Sequence, residues 1–355
     1  MPDVVIQNPV INSPFDEPTR HFEFGDRGIT VSSGVPLGLP DGYYGAVRAY
    51  VAVTDNDWFK FLAAQEGIDE VNFWQPGGGR DFNVLSPGGP LLFKLHWPLN
   101  FIAGGGFFAS FTRLPVSIVW DTFGIKNGAP SYPQMRQLIE RRRTMPPSAR
   151  EDYEVGCIVL QDPFFLPRDR WIPAPADFAK AVVQGKGYEL GVGEGRALWD
   201  QVVAARALTL HAGAERPIEI GGSMYGEGQL ARRRLRQGAF RVMVTDAYNR
   251  QCAISGEKAL PVLQAAHIKP VAEGGQHRLD NGLLLRSDVH TLFDRGYISV
   301  TPERKVLVSR KLKDDFDNGE PYFPLAGTEI HLPHRELERP AREFLEWHVD
   351  TLYRG

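Results

Sequence analysis

Sulfur is scarce in this sequence: among 355 residues the only cysteines are Cys157 and Cys252. Two thiols cannot build a disulfide framework or a four-cysteine zinc knuckle, so a reducing, cytoplasmic setting and no structural zinc are expected. Long apolar runs are missing as well. The most apolar stretch, "FIAGGGFFASF", is too short and too glycine-rich to span a bilayer, and the opening "MPDVVIQNPVINSPFDEPTR" has no basic segment followed by an apolar one. Neither membrane insertion nor secretion is expected. Nor is there an excess of positive charge. At a formal net charge of -3, any attraction to a polyanion must come from local clusters. Internal repeats and low-complexity tracts are absent too.

What is present is ordinary globular material, 43% hydrophobic and 23% charged, in a chain long enough for two domains. Residues 1–40, rich in Pro, Asp and Gly, read as an irregular arm. Residues 41–211 read as a first domain, since "GAVRAYVAV", "PLLFKLHWPLNFIAGGGFFASF" and "YEVGCIVLQDPFFL" have strand character, whereas "NDWFKFLAAQ" and "SYPQMRQLIERRRT" have helical spacing. Residues 212–229 turn to Gly, Pro and polar side chains, as linkers do, and residues 230–355 form the second domain. This second domain opens on an expected helix with Leu230, Phe240, Val244 and Tyr248 toward a core. The overall class expected is α+β.

The chemistry concentrates in "AAHIKPVAEGGQHRLDNGLLLRSDVHTLFDRGY", residues 265–297. Its pattern reads as a strand ending at His267, a loop, a second strand "NGLLL", and a helix capped by Ser287 and terminated at Gly296. Phosphodiester cleavage needs a base for water, positive charge at the phosphate, and something that holds the base in place. His267 can be the base. His290 and Asp294, four apart on a helix, can converge on a divalent ion such as Mg²⁺ or Mn²⁺, and Asn281 can tie the loop to the backbone or orient His267. His277, a loop residue with no partner in the pattern, is given no role.

The ordered set "AAHI", Gly-Gly, "DNGLLL", "H" and "LFDRG" resembles the HNH endonucleases, whose active site is a ββα-metal fold. That resemblance implies His267 as general base, Asn281 as the middle Asn and His290 as a metal ligand. Two departures stand out. Many HNH sites carry an acidic residue where this chain has Ala266, leaving Asp294, less favourably Asp288, or water to complete the metal shell; and "CAISG" keeps one cysteine where others have paired CxxC knuckles. The basic run "ARRRLRQGAFR" precedes this core, so Arg232, Arg233, Arg234, Arg236 and Arg241 are expected to grip DNA phosphates.

In the first domain, "DEVNFWQPGGGRDFNVLSPGGPLLFKLHWPLNFIAGGGFFASF" looks like the EVE branch of the PUA-like domains, related to the YTH readers of methylated RNA. The resemblance implies a β-barrel-like domain with helices and an aromatic cage for a flipped base, with Trp74 and Trp120 as walls and Asn72 and Gln75 as edge readers. Together the two domains resemble modification-dependent restriction endonucleases. The expectation is therefore a phage-defence enzyme that recognises 5-methyl- or 5-hydroxymethylcytosine in double-stranded DNA and cuts nearby, two protomers acting together. Its rivals are an HNH nuclease indifferent to modification and a non-cleaving reader of modified nucleic acid.

Overall fold

In a computed structural model of the chain, the residues described are 47–77, 81–145, 147–148, 150–179, 181–213 and 235–355, with two strands nearer the start, β1 (Arg20–Phe22) and β2 (Ile29–Val31), paired antiparallel. The rest of the expected arm, most of the linker, Leu230 and Arg232 to Arg234 lie outside the described residues.

The front domain is a mixed sheet of seven strands. They are β3 (Arg48–Thr54), β4 (Glu70–Gln75), β5 (Pro90–Leu95), β6 (Phe101–Pro115), β7 (Glu154–Phe165), β8 (Ile172–Pro173) and β9 (Gly185–Glu189), in the order β4-β7-β6-β5-β3-β9 with β8 on β6. Only β3 and β5 pair in parallel; the other pairs are antiparallel. Every residue of β5 is buried, which explains why "PLLFKL" is apolar without alternation: it is covered on both faces. Around the sheet lie α1 (Asn56–Ala63), α2 (Val116–Phe123), α3 (Tyr132–Glu140) and α4 (Gly193–Gly213). Asp55 starts α1 by accepting the backbone N–H groups of Asp57 at 2.7 Å and Trp58 at 3.0 Å. The α+β class is as expected. Among the described residues the path of strands does not close into a full barrel, with β4 and β9 at its ends.

The second part begins at α5 (Gln237–Ala247), which buries Phe240, Val244 and Tyr248. Then come β10 (Leu263–His267), β11 (Gly282–Arg286), α6 (Ser287–Asp294), the pair β12 (Ile298–Val300) and β13 (Val306–Val308), α7 (Lys311–Phe316) and α8 (Arg342–Thr351). The expected order of strand, loop, strand and helix is present as β10, its loop, β11 and α6. Gly296 ends α6 with φ +74°: its own N–H bonds to Phe293 O and that of Tyr297 to Leu292 O, both at 2.9 Å. Ser287 does not cap the helix. Arg286 occupies the cap position and pairs with Asp288, while Ser287 is the first helical residue.

One apolar core joins the two parts, running from Trp58 in α1 and Phe93 in β5 through Phe240 in α5 to Phe293 in α6. The junction also has a polar fastening. Glu70 in β4, 1% exposed, accepts the N–H groups of Gly238 at 2.8 Å and Ala239 at 2.9 Å, so its carboxylate sits on the positive end of α5, and Lys126 lies 3.0 Å away.

Candidate active site

The antiparallel pairing of β10 and β11 sets His267 opposite Gly282, at the strand end that opens into the loop. Strand alternation divides the neighbouring side chains. His267 lies against α5, its ring stacked on Phe240 with centroids 4.1 Å apart and planes within 9°, while Gln264 reaches α6. Nε2 of His267 is 2.8 Å from Nδ1 of His277. Burial, and then the nearby His277 and His290, push the basicity of His267 down to about 4. The ring is therefore neutral at pH 7 and able to accept a proton.

Asn281 is fully buried and holds the loop shut. Its side chain accepts the Lys269 N–H at 2.9 Å and donates to Lys269 O at 3.0 Å and Gln276 O at 2.9 Å. The loop is so tight that a Cβ on Gly275 would stand 1.9 Å from Lys269 O. That contact accounts for the second glycine of the Gly-Gly pair.

On α6, Nδ1 of His290 lies 2.8 Å from Oε1 of Gln264. The oxygen can only accept, so Nδ1 carries the hydrogen and Nε2 is left as a lone pair, 3.3 Å from Oδ2 of Asp294. Burial lowers the basicity of His290, which favours the neutral ligand form. Among the described residues no group of three or more His, Cys, Asp or Glu gathers as a ready-made metal cage. The pair nevertheless fits a divalent ion. A separation of 3.3 Å suits neighbouring ligands each about 2.1 Å from one ion, and Mg²⁺ commonly takes only one or two protein ligands beside water and substrate phosphate. Asp288 is engaged elsewhere, with Arg286 at 2.6 Å and Tyr322 at 3.1 Å. Ala266 is fully buried and offers no ligand.

With this geometry in view, comparison with known proteins is informative for the second part of the chain. Residues 252–301 match a family model described as HNH endonuclease. This segment is an HNH endonuclease domain. Similar solved structures include a modification-dependent TagI restriction endonuclease, 21% identical over 37% of this chain and 44% of that one, with a TM-score of 0.25. Another is an ASCH protein from Zymomonas mobilis, 13% identical over 43% of this chain and 94% of that one, with a TM-score of 0.31. The chain thus spans less than half the length of the restriction enzyme it resembles. No curated protein matches it.

The HNH domain brings His267, Asn281, His290 and Asp294 into one neighbourhood together with two residues the sequence pattern did not single out. Gln264 and His277 each hold a histidine by hydrogen bond. The motif pattern carries no signal for either, since Gln264 reaches a histidine 26 residues away and His277 meets its partner only through the folding of the loop. Cys252, where others have a knuckle, accepts the N–H groups of Arg286 at 3.2 Å and Ser255 at 3.3 Å.

The other expected residues are placed differently. Arg236 pairs with Asp162 at 2.8 Å and Arg241 donates to Asp121 O at 3.1 Å, so both bind the front domain's own groups. Asn72 and Trp74 are buried and meet at Asn127, which accepts from Asn72 Nδ2 at 2.9 Å and, through its carbonyl, from Trp74 Nε1 at 3.0 Å. Trp120 packs near Tyr132 on α3, and Gln75 faces Gly156 across the β4–β7 pairing. None of these four lines the cavity of about 1050 Å³ at the junction, bordered by Phe108, Ser110, Thr112, Met243, Arg335 and Glu338.

Proposed function

We propose that the protein is a metal-dependent DNA endonuclease whose cutting is licensed by a modified cytosine, 5-methyl- or 5-hydroxymethylcytosine, held by the front domain. The observation carrying the nuclease half is the pairing of a neutral His267 with a metal-ready His290, whose Nε2 is freed by Gln264 and turned toward Asp294. In this reading His267 takes the proton of the attacking water and Asn281 keeps the loop closed behind it. A divalent ion, when held by His290 and Asp294, supplies positive charge to the phosphate and the departing oxygen. The phosphate grip falls to Arg232, Arg233 and Arg234, because Arg236 and Arg241 are already engaged. Cutting both strands with one site per chain calls for two protomers. A cytoplasmic defence against modified phage DNA would be its use.

The modified base is the finer claim. Reading it with Asn72 and Trp74 requires their contacts with Asn127 to open, while Trp120 and Gln75 would approach from separate positions. The burial of Trp74 favours a second reading, a nuclease indifferent to modification. The deciding experiment incubates the protein with Mg²⁺, and separately Mn²⁺, on matched DNAs carrying cytosine, 5-methylcytosine or 5-hydroxymethylcytosine, with His267→Ala as control. Cutting confined to modified DNA is expected. Equal cutting of all three would select the second reading, and cutting by the His267→Ala protein would remove His267 as base.

A further inference from the structure

We infer that His277 is the positioning residue for His267: its Nδ1 accepts the Nε2–H of His267, leaving Nδ1 of His267 as the nitrogen that takes a proton. The inference rests on the endonuclease reading above and names a part of that site which the motif does not contain.

The geometry carries it in three steps. First, the nitrogens are 2.8 Å apart, the ring centroids 4.8 Å, and the planes cross at 62°. At that distance two lone pairs would repel, so one nitrogen must bear the hydrogen. Second, neither ring is free to turn away. Phe240 lies flat on His267 at 4.1 Å and tilted against His277 at 5.6 Å, and the backbone of His277 is pinned where its carbonyl accepts the Leu235 N–H at 2.7 Å. Third, only one assignment leaves His267 useful as a base. If His277 donated instead, Nε2 of His267 would be occupied as an acceptor and Nδ1 would keep its hydrogen, so neither nitrogen could take a proton from water. When His267 donates from Nε2, the lone pair stands on Nδ1, and the same hydrogen bond steadies the imidazolium formed on proton uptake. Burial, and then repulsion from the neighbouring rings, depresses the basicity of His267 and keeps it neutral at rest, while repulsion between two imidazolium rings this close allows at most one of the pair to be charged.

Long-range proton–nitrogen NMR of the full chain with ¹⁵N-labelled histidine reads the tautomer directly at neutral pH, without DNA or metal. The result expected is His267 protonated on Nε2 and bare on Nδ1. His277→Phe should lose that single tautomer and lower kcat about a hundredfold, the scale of one misplaced proton-transfer group, while KM for DNA stays unchanged. His277→Asn, whose amide oxygen can accept in place of Nδ1, should recover most of the turnover. A wild-type spectrum with hydrogen on Nδ1 of His267 would overturn the inference, as would wild-type kcat in the Phe variant. If that variant does not fold, the wild-type tautomer and the Asn variant decide. Absence of any DNA cleavage by the wild-type protein would defeat the endonuclease reading alone, since the spectrum still reports on the pair.

Discussion

Single residues divide here into those that act and those that hold. Asn281 belongs with the second kind: its one amide makes three hydrogen bonds to the backbone of the loop that starts at His267. Asn281→Ala would strand the Lys269 N–H and two carbonyls, and leaving a buried polar group unpaired costs about 1–3 kcal/mol. The expected outcome is an unfolding free energy lowered by that amount, read as a lower urea midpoint, with cleavage reduced further as the loop opens; an unchanged midpoint would mean the loop is held by other contacts. The arginines show why charge alone misleads at this scale. A basic run reads as phosphate-binding in sequence, yet Arg236 meets Asp162 and Arg241 meets the carbonyl of Asp121, partners separated by 74 and 120 residues. Nothing local announces them.

Among the elements, α5 matters most, because it touches both the sheet and the site. Its first turn is capped from outside by Glu70, and Phe240 on its next turn bears the His267 ring. Glu70→Ala would free two helix N–H groups and leave Lys126 with Asp69 alone. Removing one member of a buried ion pair typically costs about 3 kcal/mol or more. We expect that loss in chemical denaturation, together with slower cleavage as Phe240 shifts. A stability loss with cleavage untouched would show that α5 does not set the His267 ring. The amphipathic pattern of α5 was legible in sequence through Phe240, Val244 and Tyr248, whereas its external cap was not. A capping residue 168 positions away leaves no trace in the helix's own N-terminal signals.

At the scale of the whole molecule, buried histidines set a pH limit. His348, 1% exposed, stacks on Phe293 and bonds to Ser299 through Nδ1 at 2.8 Å, and burial pushes its basicity down to about 4. A folded value below the unfolded 6.5 means that the unfolded chain binds more protons between the two. Stability is therefore complete above about 6.5 and is lost as pH falls toward about 4, at about 1.4 kcal/mol per pH unit for this group. His267 adds to the same slope. Urea titrations across that window should show the decline, and His348→Asn should flatten it; an unchanged slope in the variant would assign the decline to other groups.

The sequence by itself determined the kind of chemistry proposed, because the groups assigned to it fall within 265–297, and their spacing follows from local rules of strand, turn and helix. It also determined the α+β class. Only the tertiary structure decided which aromatic rings are core, since burial is a property of what packs from elsewhere: Trp74 and Asn72 went to Asn127 rather than to an open cage. It decided as well that the sheet stays open, and that Gln264 and His277 orient the two histidines. Those hydrogen bonds form between side chains that meet only after β10, its loop and α6 have come together, so no reading of one segment can contain them.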